Sequence, residues 1–219
     1  MSLTLAPYGL SFFDYKGGKN KMSTTRYAII SGYAHSIGQG DPVQLGTAGW
    51  VTAYEPAPSP TNPNVSIFGY NTLGVAVSFS WVSSTGVSMN NQSYWPAGTQ
   101  TLNGTPAYVQ VADLVDNVYR IQCNSTLNLT ANQVANFRNY NFSDCTTSSL
   151  PNPRTSQSTA VLNTLNSGVA APNYWLSAKI VGLAPSSISG GPNHWTDPYP
   201  EVLVLINAHA YRPGTNGSN

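Results

Sequence analysis

The run Val202-Leu203-Val204-Leu205-Ile206-Asn207-Ala208-His209-Ala210-Tyr211 decides the fold. Val202, Val204, Ile206 and Ala208 fall on one side of an extended chain, and Leu203 and Leu205 fall on the other. A strand that is apolar on both sides is buried on both faces. Upstream of it, short apolar runs separated by turn residues recur at 26–33, 43–45, 50–54, 73–81, 107–112, 118–123 and 175–183. This pattern predicts a mainly β domain, a jelly roll or a related β-sandwich or barrel. The runs 43–45 and 50–54 pair as a hairpin around 46–49. Pro56, Pro58, Pro60 and Pro63 exclude 55–63 from any central strand.

One helix is predicted, over 130–139, where Thr130 and Gln133 form a Thr-x-x-Gln capping box. It falls in a long polar insert, 124–173, rich in Ser, Thr, Asn and Pro. The expected organisation is an N-terminal arm over 1–26, a single β domain over 27–212 carrying that insert, and a flexible tail over 213–219. The arm places the apolar anchors Tyr8, Leu10, Phe12 and Phe13 just before Lys16, Lys19, Lys21 and Arg26. With Asp14 set against those four cations its local charge is +3. Such a segment suits folding onto an acidic, grooved neighbour, or equally an arm whose Phe12 and Phe13 pack on its own domain while the lysines stay in water.

Composition narrows the function classes. Only 8% of the 219 residues are charged, against roughly a quarter in an ordinary soluble domain. The net charge of +1 supplies too little field to hold a nucleic-acid backbone. Sparse charge also weakens the repulsion that keeps proteins apart, so the chain suits an assembly and self-association as a dimer or trimer. The 13 Tyr, 5 Trp and 6 Phe supply enough apolar area for a core. No run reaches the roughly 18 apolar residues of a membrane helix, and no basic-then-apolar signal peptide opens the chain. Cys123 and Cys145, without an export signal, are expected as free thiols.

Catalytic and cofactor motifs are not found. There is no Gly-x-Ser-x-Gly elbow and no Gly-Lys-Ser/Thr phosphate loop, and Gly38-Gln39-Gly40 lacks the third glycine of a dinucleotide fingerprint. Pro198 and Pro200 break any helix that could bring His194, Asp197 and Glu201 to one metal. Asp113 and Asp116 flank one turn rather than opposite sides of a sugar cleft. His209 alternates with apolar neighbours, as a hydrogen-bonded core histidine does. No catalytic residue, metal or cofactor is therefore assigned.

The succession Arg26-Tyr27-Ala28-Ile29-Ile30-Ser31-Gly32-Tyr33-Ala34, Gly40-Asp41-Pro42-Val43, Gly49-Trp50-Val51-Thr52, Leu73-Gly74-Val75 and Tyr94-Trp95-Pro96-Ala97-Gly98-Thr99 continues through Ala107-Tyr108-Val109, Val118-Tyr119-Arg120-Ile121-Gln122 and Lys179-Ile180-Val181-Gly182-Leu183. It ends on Asn207-x-His209-x-Tyr211-Arg212. In order and ending this resembles the cement or decoration proteins of the heads of tailed double-stranded DNA bacteriophages of the short-tailed type. The Pro-rich 55–63 loop and the stretch from Cys123 to Cys145 depart from that pattern.

The resemblance implies a non-enzymatic virion protein, assembled in the host cytoplasm. It would bind the major capsid protein on the outer face of an icosahedral head and stabilise contacts between subunits. The contact candidates are Tyr8, Phe12, Phe13, Lys16, Lys19, Lys21 and Arg26. The alternative is a carbohydrate-binding module for host-surface adsorption, with Tyr94, Trp95, Trp175, Trp195 and Tyr199 as stacking candidates.

Overall fold

In a computed structural model the described residues are 7–15, 22–46, 48–55, 72–127, 138–143, 145, 158–164, 176–186 and 191–211. They form β1 (Ser11–Tyr15), β2 (Thr25–Ile29), β3 (Ile37–Gly38), β4 (Pro42–Leu45), β5 (Val51–Ala53), β6 (Thr72–Val82) and β7 (Ser88–Gln92). There follow β8 (Tyr94–Trp95), a 3-10 turn (Leu102–Gly104), β9 (Ala107–Ala112), β10 (Asn117–Gln122) and β11 (Asn139–Ser143). The order closes with β12 (Val161–Asn163), β13 (Ala178–Leu183) and β14 (Glu201–Ile206).

Two antiparallel sheets pack as a sandwich, and neither closes into a barrel. Each has six strands: one runs β1-β10-β14-β13-β11-β12, and the other runs β2-β9-β6-β4-β5 with β7 hydrogen-bonded to β6. A small ladder, β3 with β8, stands apart. The buried strand expected at the end of the chain is β14, between β10 and β13, with Val202, Val204 and Ile206 in the core. The expected hairpin is β4–β5, where the Gly46 N–H donates to the Trp50 carbonyl at 2.8 Å. Gly49 there has φ +79°, a conformation glycine adopts without strain.

The long strand β6 serves two apolar clusters. Val75 joins Tyr119, Ile121, Phe142, Ile180 and Val204 in the cluster shared by the two sheets. Leu73, Ala76, Phe79 and Trp81 join Ile29, Val43, Val109 and Trp95 in a second. A register irregularity between Ala76 and Ser78 marks where the alternation is reset. Gly74 lies so close to β9 that a Cβ there would sit 2.3 Å from the Ala112 carbonyl oxygen.

Three expectations change. Residues 128–137 lie outside the described set, and Asn139, the end of the expected helix, instead opens strand β11. The polar insert contributes two strands, β11 and β12, because Tyr140, Phe142 and Leu162 each carry an apolar side chain into the shared core. The arm expected over 1–26 contains β1, paired with β10, and the beginning of β2, paired with β9. Of its anchors, Leu10 joins the shared apolar cluster and Phe12 packs against it, while Phe13 is exposed. Residues of the Pro-rich loop after Glu55, Trp175 and the tail 213–219 lie outside the described residues.

Residues 207–211 clasp the sheets together. The Thr72 N–H donates to the Ala208 carbonyl and the Ala210 N–H to the Thr72 carbonyl, both at 2.9 Å. The Asn207 N–H donates to the Ser177 carbonyl at 2.7 Å, and its side-chain amide donates to the Leu176 carbonyl at 3.1 Å. Buried His209 accepts the Tyr211 N–H at Nδ1, at 3.1 Å, as a core histidine.

Candidate docking surface

The segment before β1 is tied down by chemistry as well as pairing. The Leu10 N–H donates to the Gly40 carbonyl at 2.8 Å, and Leu10 is buried. The Tyr8 hydroxyl donates to Glu201 Oε2 at 3.2 Å, and Arg120 Nε pairs with the same oxygen at 2.8 Å. Burial, followed by the Glu201 carboxylate, holds the Tyr8 hydroxyl far above the ordinary tyrosine range, so it is a donor at any ordinary pH. Phe12 packs edge-to-face on Tyr119, ring centroids 6.4 Å apart. Tyr119 in turn donates to the Ala112 carbonyl at 2.7 Å, linking β10 of one sheet to β9 of the other.

Between β1 and β6 lies an open cavity of about 370 Å³, lined by Tyr8, Leu10, Phe12, Met22, Val77 and Tyr119 among others. Its walls are largely apolar, with Gln39 and Ser11 at polar positions. It offers room for an apolar side chain and no set of convergent charges.

The seven contact candidates do not form one patch. Tyr8 and Phe12 line the cavity, while Phe13 on the same strand is 42% exposed. Arg26 lies on the other sheet, its guanidinium 3.6 Å from the centroid of the Tyr108 ring. That stacking fixes a cation on an otherwise polar face made with Gln110, Ser78 and Ser80. Lys16, Lys19 and Lys21 lie between β1 and β2, outside the described residues.

The residues weighed for chemistry stay apart. The His194 N–H donates to Asp197 Oδ2 at 2.6 Å as part of a turn, whereas Glu201 is buried against Arg120 and Tyr8. Asp113 accepts from Thr25 at 3.0 Å and from Tyr27 at 2.6 Å, beside the turn that leads to Asp116. Among the described residues no three His, Cys, Asp or Glu side chains cluster as metal ligands. Cys123 and Cys145 are buried free thiols, and burial pushes the Cys123 pKa well above the ordinary value of 9.0, away from nucleophilic character.

The sugar-stacking candidates are corrected in part. Trp95 is fully buried, edge-on to Trp81 with centroids 5.3 Å apart, and cannot meet a ligand. Trp195 packs on the shared core, Tyr94 and Tyr199 are half-buried, and Trp175 lies outside the described residues. Sequence reading missed the Tyr27–Asp113–Tyr211 cluster, because its members lie far apart in the chain: the β2–β9 pairing brings Tyr27 to Asp113, and the clasp adds Tyr211.

No family model matches the chain, nor does any curated protein or solved structure.

Proposed function

We propose that the protein is a non-enzymatic cement protein that binds the outer surface of an icosahedral phage head and stabilises contacts between capsid subunits. The observation that carries the reading is the way both ends of the described chain are pinned. Residues 7–15 are locked by Glu201, Tyr119 and β10, and residues 207–211 bridge the two sheets through Thr72, Ser177 and Tyr27. A body that carries tension across a shell must not peel at its ends, and the Asn207-x-His209-x-Tyr211 ending supplies one of the two fastenings. A sparsely charged surface suits attachment through many modest, well-packed contacts.

The test uses heads made without the protein. Adding the purified chain back is expected to raise the temperature at which the heads release DNA. Heads whose DNA retention is unchanged while the protein is bound, or that bind none, overturn the reading. Binding by the isolated chain to defined glycans instead supports the carbohydrate module.

A further inference from the structure

β2 ends, β9 begins and β6 turns into β7 at one end of their sheet, and three loops meet there: 30–36, 83–87 and 96–106. None of these loops contains Asp, Glu, Lys or Arg. They carry half of the large apolar side chains that are exposed among the described residues: Ile30 at 46%, Val87 at 56% and Leu102 at 36%.

The loops are held in place by one another. The Gly32 N–H donates to the Thr99 carbonyl at 2.8 Å, and the Thr101 N–H donates to Ser31 Oγ at 3.0 Å. Ser83 bridges to Thr101, and its N–H donates to the Val87 carbonyl at 2.9 Å. Such cross-bracing presents the aliphatic side chains in a fixed arrangement, which lowers the ordering cost of binding.

We infer that this tip is a self-association surface, on which a second copy of the chain docks tip to tip about a two-fold axis. The argument is one of charge. In an isologous contact each surface patch faces its own copy, so any charge near the axis opposes its like. The tip has no Asp, Glu, Lys or Arg, and its one histidine, His35, lies against the Tyr33 ring with centroids 5.5 Å apart, whereas the other end of the same sheet carries Asp113 and Asp116. A lipid surface fits less well, since insertion favours Trp or Phe beside Lys or Arg, and the tip offers none of these. A glycan fits less well too, because Tyr33, the tip's tyrosine, is half-buried with its hydroxyl accepting the Ala53 N–H at 2.8 Å.

The inference concerns contact between copies and stands apart from the head-binding reading, so it is tested on the purified full chain alone. Sedimentation equilibrium over a rising concentration series is expected to show a shift from the 23.3 kDa monomer toward twice that mass. The double variant V87D/L102D places like charges across the axis and is expected to weaken the association at least tenfold. L114D, an exposed change at the opposite end, is expected to leave it unaltered, and circular dichroism checks that both variants keep the β fold. A chain that stays monomeric, or associates equally well as V87D/L102D, overturns the inference. If the chain is monomeric while binding to neutral phosphatidylcholine vesicles or to heads is lost in V87D/L102D, the tip belongs to that partner and the inference again fails.

Discussion

The Tyr211 hydroxyl donates to the Tyr27 hydroxyl across 184 residues of chain, because Tyr27 has already committed its own proton to Asp113. The two tyrosines are therefore not equivalent. Tyr27→Phe strips a donor from a buried carboxylate and is expected to cost about 1–3 kcal/mol, whereas Tyr211→Phe removes only the outer bond and is expected to cost less than about 1 kcal/mol. Urea unfolding of both variants checks the ranking.

Glu201 serves both Tyr8 and Arg120 from a position that is 4% exposed. Glu201→Gln removes the charge that Arg120 needs while keeping the side-chain shape, and is expected to destabilise the fold by about 3 kcal/mol. Replacing both members with apolar residues of similar volume is expected to restore part of the loss, as a double-mutant cycle would show.

Alkaline pH is expected to unfold the protein. Tyr54 and Tyr119 are raised above the ordinary value of 10.0 chiefly by burial, and Tyr8 shifts the same way. In the unfolded chain these hydroxyls ionise near pH 10, so above that pH the unfolded state holds fewer protons and stability falls. The stability they contribute is fully present below pH 10 and is lost as pH rises toward their folded values, by about 1.4 kcal/mol per pH unit for each group. Unfolding followed from pH 8 upward, on a scale of about 1 unit, checks the sign.

Gly74→Ala places a methyl group against the Ala112 backbone, which cannot move without parting β6 from β9. The expected cost is about 2–3 kcal/mol, read as a lower midpoint of unfolding. Trp95→Ala is expected to cost about 3–5 kcal/mol through the cavity it opens beside Trp81.

Deleting residues 1–21 removes β1 together with Tyr8, one partner of Glu201, and Phe12, which packs on Tyr119, so it is expected to destabilise the fold as well as any docking. Changing Lys16, Lys19 and Lys21 to serine keeps β1. Unfolding is then expected to match the parent chain, while binding to heads weakens and loses its dependence on salt. Unchanged binding excludes the lysines from the contact.

The strands legible in the sequence are β2, β6, β9, β10, β13 and β14, which fall in its short runs of aliphatic and aromatic residues, and the hairpin β4–β5 whose glycines mark the turn. β7 was not legible because Ser-Met-Asn-Asn-Gln carries no apolar alternation; its place comes from pairing with β6. β11 does alternate, Asn139-Tyr140-Asn141-Phe142, but four residues of period two are outweighed by the polar stretch around them. Phe12 is legible as an apolar anchor of the first 26 residues, but its position opposite Tyr119 is set by tertiary pairing alone. For the same reason the sequence brought Tyr8, Phe12 and Arg26 together as one element, and the fold distributes them over two sheets.

The sheet that contains β1, β10 and β14 sets the order of events during synthesis. Its first strand, residues 11–15, pairs with 117–122, and that strand in turn pairs with 201–206. A nascent chain can assemble β2, β9, β6, β4 and β5 once residue 112 has emerged, whereas the shared core waits for residue 206 and the clasp for residue 211. Contacts this distant in sequence fold slowly. Throughout that interval Val75, Ala112 and the β1 anchors lack their cover, and the half-made domain is at its most vulnerable to aggregation before the last strand arrives.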